Sequence, residues 1–404
     1  FRTAACVGIM NFREITDGIY YTGVNDRVTE KFEGMWPLPY GVSYNSYVVM
    51  GSEKVALIDG VDIDLLHPYL SDVHDTIGDR KIDYMVIHHM EPDHSGAIPD
   101  VLRRWPDLKI VGNTQTIGMI KGFYHIMDDS CFVTVKEGDT LDLGGLTLKF
   151  VMTPMVHWPE TMMSYVPERR LLFSGDAFGC FGALNGAVVD SEMNVELYWD
   201  EMYRYYSNIV GKYGKFVQKA MAKLEGVDLD YICSTHGPVW HERIAEVTGI
   251  YDRLSRYESE PGATIIYGSM YGNTAEVAEE IARGLAEGGV KTIRIHNAST
   301  SSMSDMIRDA FRYRILVVGS ATYSMTLFPP VAAFLTAMKV REVRDKVFAG
   351  FGGYTWAPNS VRAEIEAFCQ EQGIEPQGFV AMKQSMDAEV RSQARELGVK
   401  LSRR

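Results

Sequence analysis

The second half of the chain alternates short apolar runs with segments of helical spacing, and this alternation limits the possible folds more than any other feature. Residues 275–285 form one of the segments with helical periodicity. The apolar runs lie at residues 263–267, 291–295, 314–319, 346–351 and 378–382. Strands and helices that alternate in this way predict a doubly wound parallel sheet.

The first half has a different pattern, and a charged stretch that closes with Pro261-Gly262 separates it from the second. Because such a stretch is typical of a domain boundary, we predict one domain over residues 10–256 and another over 262–404. The first is predicted to be a layered α/β domain. Its predicted strands are 46–50, 54–58, 84–88, 146–152, 171–174 and 230–234, with helices near 100–106, 115–122, 196–224 and 241–254.

The segment IHHMEPDHSG directly follows one of these apolar runs and is rich in groups that bind protons or metals. In an extended chain, residues i, i+2 and i+4 point to the same side. We therefore expect His89, Glu91 and Asp93 to point together, and a turn at Ser95-Gly96 to bring His94 back towards them.

Three further candidates follow other predicted strands. His157, Asp176 and His236 each lie just beyond the carboxyl end of an apolar run, where the loops of neighbouring strands converge on one rim of a sheet. A single histidine after a strand is usually an ordinary loop residue, so the prediction of a site depends on all the groups together. His88 alternates to the opposite face, and we expect a structural role for it.

Seven imidazole and carboxylate groups at one rim would be costly to bury unless a cation balanced them. Imidazole and carboxylate without thiolate suit zinc, iron or manganese. The set is too large for one tetrahedral zinc and fits two metals that share a carboxylate. The carboxylates of Glu91, Asp93 and Asp176 favour iron over zinc.

The first half resembles the metallo-β-lactamase fold, whose zinc hydrolases carry the motif His-x-His-x-Asp-His. Glu91 occupies the position of the second histidine, and this change, together with the segment Met155-Val-His-Trp-Pro159, resembles the flavodiiron proteins. The resemblance extends over the chain from Met10. It implies an αββα sandwich followed by a flavodoxin-like doubly wound parallel sheet. It also implies one iron held by His89, Glu91 and His157, a second held by Asp93, His94 and His236, and a bridging Asp176.

The segment IIYGSMYGNTAEVA combines a strand, a polar loop that contains glycine and the start of a helix. Backbone N–H groups and the helix dipole favour a phosphate at such a place, although an ordinary turn capped by Thr274 is the alternative. Loops after the third and fourth strands lie beside it in a doubly wound sheet and could enclose a flat ring.

This half resembles a flavodoxin, which binds FMN through loops in these three places. Trp356 and Tyr323 are the candidates for contacts with the flavin ring. The predicted FMN-binding residues are Ser269, Met270, Tyr271, Gly272, Asn273, Thr274, Ser320, Ala321, Thr322, Tyr323, Gly352, Gly353, Tyr354, Thr355 and Trp356.

Charge and composition narrow the classes of partner. A formal net charge of -13 argues against nucleic acid, which needs a concentrated positive surface, and the apolar runs are too short for a membrane span. The five scattered cysteines include no C-x-x-C pair, which is typical of free thiols in a reducing compartment, so we expect a cytoplasmic protein. We expect Met10 to be the natural start.

The resemblance implies an oxidoreductase that reduces dioxygen to water or nitric oxide to nitrous oxide, with FMN re-reducing the irons. We expect oxygen to be the substrate. The resemblance also implies a homo-oligomer, either a head-to-tail dimer or a dimer of dimers. Because the chain lacks a C-x-x-C pair, we expect a separate electron donor, rubredoxin or reduced F420.

Two other functions stay open from the residues. A dinuclear zinc hydrolase with a flavodoxin domain is disfavoured by Glu91, which replaces a histidine. A flavin electron carrier with an inactive first domain is disfavoured because all the ligand positions are filled.

Overall fold

The computed structural model describes residues 13–404, and the expected start at Met10 lies outside the described residues. The described chain forms two compact units. One comprises the residues up to Met202 together with Lys215–Asp252, and the other comprises Tyr203–Gly214 and Arg253–Arg404. The segment Tyr203–Gly214 belongs to the second unit, although it lies within the range expected for the first domain. The domain limits expected from the sequence stay a prediction.

The strands of the first unit are mostly three to five residues long. They are β1 Arg13–Thr16, β2 Ile19–Tyr21, β3 Val24–Asp26, β4 Lys31–Phe32, β5 Trp36–Pro37, β6 Val42–Tyr44, β7 Tyr47–Met50, β8 Val55–Ile58, β9 Tyr84–Val86, β10 Lys109–Gly112, β11 Phe132–Thr134, β12 Thr140–Asp142, β13 Thr147–Met152, β14 Met162–Val166, β15 Leu171–Gly175 and β16 Tyr231–Ser234.

These strands form two main sheets. One has the order β1-β2-β7-β8-β9-β10-β11, and the other has the order β12-β13-β14-β15-β16. The interior strands β8 and β15 are buried along their whole length, as expected for strands that are covered on both faces. Tyr47 of β7 packs against Phe173 of β15 with ring centroids 5.2 Å apart, so the core lies between the sheets.

The helices of the first unit are α1 Leu66–Ile77, α2 Pro92–Ser95, α3 Ile98–Arg104, α4 Thr114–Tyr124, α5 Glu196–Tyr205, α6 Gly214–Leu224 and α7 Ile244–Ser255, of which α5, α6 and α7 each extend into residues of the second unit. The side chain of Asn113 accepts hydrogen bonds from Gln115 N and Thr116 N and so begins α4.

The single helix expected over residues 196–224 is wrong. Between α5 and α6 the chain forms a π-helical segment, Tyr206–Val210, and a 3-10 turn, Gly211–Tyr213. A Cβ atom at Gly214 would lie 2.4 Å from the carbonyl oxygen of Ser255, so this close backbone approach requires glycine.

The second unit contains a parallel sheet with the order β18-β17-β19-β21-β22, and β20 pairs antiparallel with β19. Its strands are β17 Glu260–Gly268, β18 Ile293–Asn297, β19 Tyr313–Tyr323, β20 Thr326–Leu327, β21 Val347–Tyr354 and β22 Phe379–Lys383. Its helices are α8 Asn273–Glu287, α9 Met303–Arg312, α10 Pro329–Val340, α11 Ser360–Gln372 and α12 Ala388–Ser402.

The predicted fold class is confirmed: a layered α/β sandwich precedes a doubly wound parallel sheet, whose first strand lies beside the second and third. Three of its strands, β17, β19 and β21, are longer than predicted. Residues 320–323 belong to β19 and residues 352–354 to β21, where the sequence favoured loops. Within residues 13–404 no helix has both the length and the apolar character that crossing a bilayer requires.

Candidate metal centre and cofactor site

The metal-binding candidates that follow β9 lie on an irregular loop and a short helix rather than on an extended strand. Helix α2 begins at Pro92, directly after Glu91. Proline favours the first helical position because its backbone angle already suits a helix and its missing N–H would have no partner there. The expected extended arrangement and the turn at Ser95-Gly96 are therefore wrong, and a helical turn positions Asp93 and His94.

The structure nevertheless brings all seven candidates together in two adjacent groups. Within each group, one potential ligand atom per residue lies within 4.8 Å of all the others. All seven residues are buried except Glu91, which is partly exposed. The first group consists of His89, Glu91, His157 and Asp176, and the second consists of Asp93, His94 and His236.

Asp176 faces both groups. Its Oδ2 lies 3.1 Å from Nε2 of His157 and 3.4 Å from Nε2 of His89. Its Oδ1 lies 3.0 Å from Nε2 of His94 and 3.8 Å from Nε2 of His236. Thr235 Oγ1 donates to the same Oδ1 at 2.5 Å. Each carboxylate oxygen is therefore directed towards a different group.

The charges and unpaired atoms of this centre fit metal cations. Among residues 13–404, the buried carboxylate oxygens of Asp93 and ring nitrogens of His94 make no well-aligned hydrogen bond, although His94 Nε2 lies 3.2 Å from Asp93 Oδ2. Buried polar atoms without partners are rare in folded proteins. Two metal ions would satisfy the Asp93 oxygens and Nε2 of His94 and would balance the carboxylates of the two groups.

The electrostatics of the metal-free centre show how strongly it favours positive charge. Burial lowers the pKa of His89 and His94, but the surrounding carboxylates, chiefly Asp176 and Asp93, outweigh it and raise both pKa values to about 10. In the same way, the pKa of His157 is raised to about 9. Burial opposes the charged form of Asp176, yet the neighbouring imidazoles hold its pKa well below the usual range.

Two glutamates beside the centre were not predicted from the sequence. The buried Glu160 accepts a hydrogen bond from Nδ1 of His89 at 2.8 Å. Partial burial and the neighbouring Glu91 raise the pKa of Glu33, which also accepts from Nε1 of Trp36. Glu160 lies only three positions after His157, and this proximity is the one sequence signal that could have indicated it.

His88 lies outside both groups. Its Nδ1 is 2.7 Å from Asp59 Oδ2, its Nε2 is 2.9 Å from Ser164 Oγ, and its backbone N–H donates to Asp59 Oδ1. Both ring nitrogens are therefore occupied by side chains of the protein, in agreement with the structural role expected for this histidine.

The predicted phosphate loop joins β17 to α8. The cap of α8 is Gly272, with φ of 99°, and no side chain hydrogen-bonds to the first helical N–H groups among the described residues. Gly272 N donates to Ser269 Oγ. Thr274 is therefore not the cap of this helix, and the N–H groups at its start remain available to an anion.

The loop opens into a cavity of about 280 Å³, close to the lower limit for small-molecule pockets. Four predicted residues do not line it: Gly272, Ser320, Tyr323 and Gly352. The lining residues are Ser269, Met270, Tyr271, Asn273, Thr274, Ala321, Thr322, Gly353, Tyr354, Thr355 and Trp356, together with the unpredicted Ala357, Met382 and Gln384.

Two aromatic side chains at this cavity are largely exposed. Trp356 is 81% exposed and Tyr271 is 91% exposed, and both line the cavity. Tyr323, the other candidate for a ring contact, packs edge-on against Phe328 with ring centroids 6.0 Å apart. Trp356 is therefore better placed than Tyr323 to cover a flat ligand.

Comparisons with known proteins match both units. A family described as "ODP family beta lactamase" matches residues 42–237, and the family "Flavodoxin" matches residues 265–396. The anaerobic nitric oxide reductase flavorubredoxin of Escherichia coli O1:K1 / APEC is 31% identical over 394 residues, which cover 96% of this chain and 81% of that protein.

Solved structures agree over almost the whole length. The rubredoxin oxygen:oxidoreductase of Desulfovibrio gigas superposes with a TM-score of 0.91 and 27% identity, covering 97% of this chain and 98% of that one. The flavodiiron protein of Giardia intestinalis gives a TM-score of 0.91 and 27% identity over 97% of this chain and 96% of that one.

Proposed function

The chain belongs to the flavodiiron proteins, and from this membership we propose that it reduces dioxygen to water at a diiron site that FMN re-reduces. It is an oxidoreductase, and its cofactors are FMN and two non-haem iron ions. When bound, a pair of iron ions supplies electrons and withdraws negative charge from a small oxidant.

The position of Asp176 between the two ligand groups is the observation that carries the proposal. We assign one iron to His89, Glu91 and His157 and the other to Asp93, His94 and His236. Asp176 would hold both irons, because its two oxygens are directed towards different groups. The hydroxyl of Thr235 holds the carboxylate in this orientation.

Side chains around the centre limit the access of water. Phe32 packs edge-on against His236 with ring centroids 5.5 Å apart, and Trp158 packs edge-on against His89 at 5.1 Å. A small apolar gas can reach such an enclosed site, whereas a hydrated substrate of a hydrolase loses its hydration shell on entry. This enclosure favours a gaseous substrate over a hydrolytic one.

The choice of oxygen rests partly on the solved relative named rubredoxin oxygen:oxidoreductase, which covers almost the entire chain. Nitric oxide reduction to nitrous oxide is the second candidate, because the relative at 31% identity is named an anaerobic nitric oxide reductase. Both reactions use the same ligand set. Selectivity must therefore come from residues around the ligands.

We propose that FMN binds in the cavity of the second unit with its phosphate at the start of α8. Backbone N–H groups of that turn and the hydroxyls of Ser269 and Thr274 would hold the phosphate. Trp356 would cover the ring. A separate donor, rubredoxin or reduced F420, a cytoplasmic location and a head-to-tail dimer or dimer of dimers belong to the same proposal and rest on the family.

Metal and flavin analysis of anaerobically purified protein tests this proposal. We expect two irons and one FMN per chain. Two zincs would support a dinuclear hydrolase, and FMN without any metal would support a simple electron carrier. Either of these results would contradict the proposed function.

A further inference from the structure

Glu160 belongs to neither ligand group, yet it contacts one of the ligands. It is fully buried, and its Oε1 lies 2.8 Å from Nδ1 of His89. The same oxygen accepts the backbone N–H of Met90 at 2.8 Å. Asn113 Nδ2 donates to the backbone carbonyl of Glu160 at 2.6 Å. Glu160 is therefore held beside His89 through its carboxylate and through its backbone carbonyl.

This contact determines which nitrogen of His89 is available to a metal. A neutral imidazole has one N–H and one lone pair, and a carboxylate at Nδ1 requires the N–H there. Nε2 lies 3.1 Å and 3.4 Å from oxygens of Glu91 and Asp176, and it is the nitrogen whose proton a metal would displace, leaving its lone pair to the metal. Glu160 thereby selects the form of His89 that can bind a metal through Nε2.

In the other group, the contacts described for residues 13–404 place no carboxylate at a histidine Nδ1. Nδ1 of His236 lies 2.8 Å from the backbone carbonyl oxygen of Ser43, which is a neutral acceptor. Nδ1 of His94 has no hydrogen-bond partner among the described residues. A carboxylate that accepts from a ligating histidine makes the imidazole a stronger donor to the metal than a carbonyl does. The two metal positions are therefore supported unequally.

We propose that Glu160 is a positioning residue that makes one metal position bind more tightly than the other. It fixes the orientation and tautomer of His89 and strengthens binding at the position of His89, Glu91 and His157 alone. This inference rests on the two-metal site of the proposed function.

The chain offers a matched control for a buried carboxylate next to an imidazole. Asp59 lies 2.7 Å from Nδ1 of His88, and both side chains are buried, but His88 belongs to neither group. Asp59 has φ of 53°, a backbone conformation that asparagine tolerates. Asp59→Asn therefore removes a buried charge from beside an imidazole that is not a proposed ligand, just as Glu160→Gln removes the charge beside His89.

The test is a titration of the metal-free full-length protein with Zn(II) in competition with a chelator. We expect the wild type to bind two equivalents with unequal affinity. Glu160→Gln should weaken the tighter step by about 10- to 100-fold and leave the other unchanged. Asp59→Asn should leave the tighter step unchanged. FMN content and circular dichroism establish that each variant is folded.

Nitrogen NMR of histidine-labelled, Zn(II)-loaded wild type gives a second measurement that needs no variant. We expect His89 to bind through Nε2 and to carry its proton on Nδ1. Equal affinities in the wild type, the opposite tautomer, or an equal loss in both steps for Glu160→Gln would overturn the inference while leaving a two-metal site in place. A wild type that binds no metal would instead contradict the proposed function.

Discussion

Asp176 determines much of what the metal centre can do, because a carboxylate can span two metals whereas an imidazole normally binds one. Its oxygens lie 3.1 Å from His157 Nε2 and 3.0 Å from His94 Nε2, in different ligand groups. The side chain is only 2% exposed, so its charge needs a positive partner inside the protein. Loss of Asp176 should therefore affect both metal positions.

Asp176→Ala is expected to abolish binding of both irons. His157→Ala should mainly weaken binding of the iron assigned to His89, Glu91 and His157. His241 lies on the surface, where it stacks on Tyr231, so His241→Ala should retain both and serves as a control. Iron content after anaerobic reconstitution measures the effect. If Asp176→Ala and His157→Ala both retain two irons, the bridging assignment is wrong.

The protonation of the metal-free centre predicts how metal binding depends on pH. The pKa values of His89 and His94 are raised to about 10, and that of His157 to about 9, so these imidazoles are protonated at neutral pH without metal. A metal competes with protons for the same nitrogens. Raising the pH removes the competing protons, so affinity should rise as the pH approaches about 9.

Calorimetric Zn(II) titrations in two buffers of different ionisation enthalpy measure the protons released. We expect proton release at neutral pH and less release, with tighter binding, at higher pH. Binding that releases no protons and has the same affinity throughout this range would contradict the protonation described above.

At the scale of the elements, the strands of the parallel sheet could be predicted because strands buried on both faces are continuous apolar runs. The predicted run 263–267 lies within β17, and the run 314–319 lies within β19. Helix α2 could not be predicted from the apolar pattern. It has four residues, and its start depends on proline chemistry at Pro92 rather than on periodicity.

The candidate ligands could be predicted from their places after strands, because strand ends converge whatever the detailed path of the loop. The sequence did not predict the helical turn that contains Asp93 and His94. It did predict that the candidate ligands come together. Its closeness to His157 could have indicated Glu160 as a neighbour of the site, but its contact with His89 could not be predicted, because the two residues are 71 positions apart and meet only when two loops pack.

Helix α8 carries the proposed phosphate site, and Thr274 tests it. The Thr274 side chain is 3% exposed and lines the cavity. Its hydroxyl lies close to the backbone of Gly353, because a Cβ atom added there would be 3.2 Å from it. Thr274→Val removes this hydroxyl and leaves the phosphate with an unmet acceptor, at a cost of about 1–3 kcal/mol. FMN affinity, measured by fluorescence titration, should fall accordingly.

Thr336→Val is the control for that substitution. Thr336 lies on the exposed side of α10, and its hydroxyl donates to the carbonyl of Ala332 rather than into the cavity. FMN affinity should not change. An unchanged FMN affinity in Thr274→Val as well would mean that the hydroxyl makes no contact with the phosphate.

At the scale of the whole molecule, the chain combines a flavin, which holds electrons, with a diiron site, where the oxidant is reduced. Flavin accepts two electrons and passes them on singly, and two ferrous ions hold two more. The fully reduced protein therefore holds the four electrons that convert dioxygen to water. Nitric oxide reduction to nitrous oxide requires only two electrons for each pair of molecules, so the number of electrons consumed distinguishes the reactions.

Rapid mixing of the fully reduced, iron-loaded protein with oxygen, and separately with nitric oxide, tests the central claim most directly. We expect each chain to consume one dioxygen, FMN and both irons to become oxidised, and no hydrogen peroxide to accumulate. We also expect repeated turnover with oxygen once a donor is supplied. Release of peroxide, or repeated turnover of nitric oxide while oxygen reacts far more slowly or destroys the site, would contradict the claim.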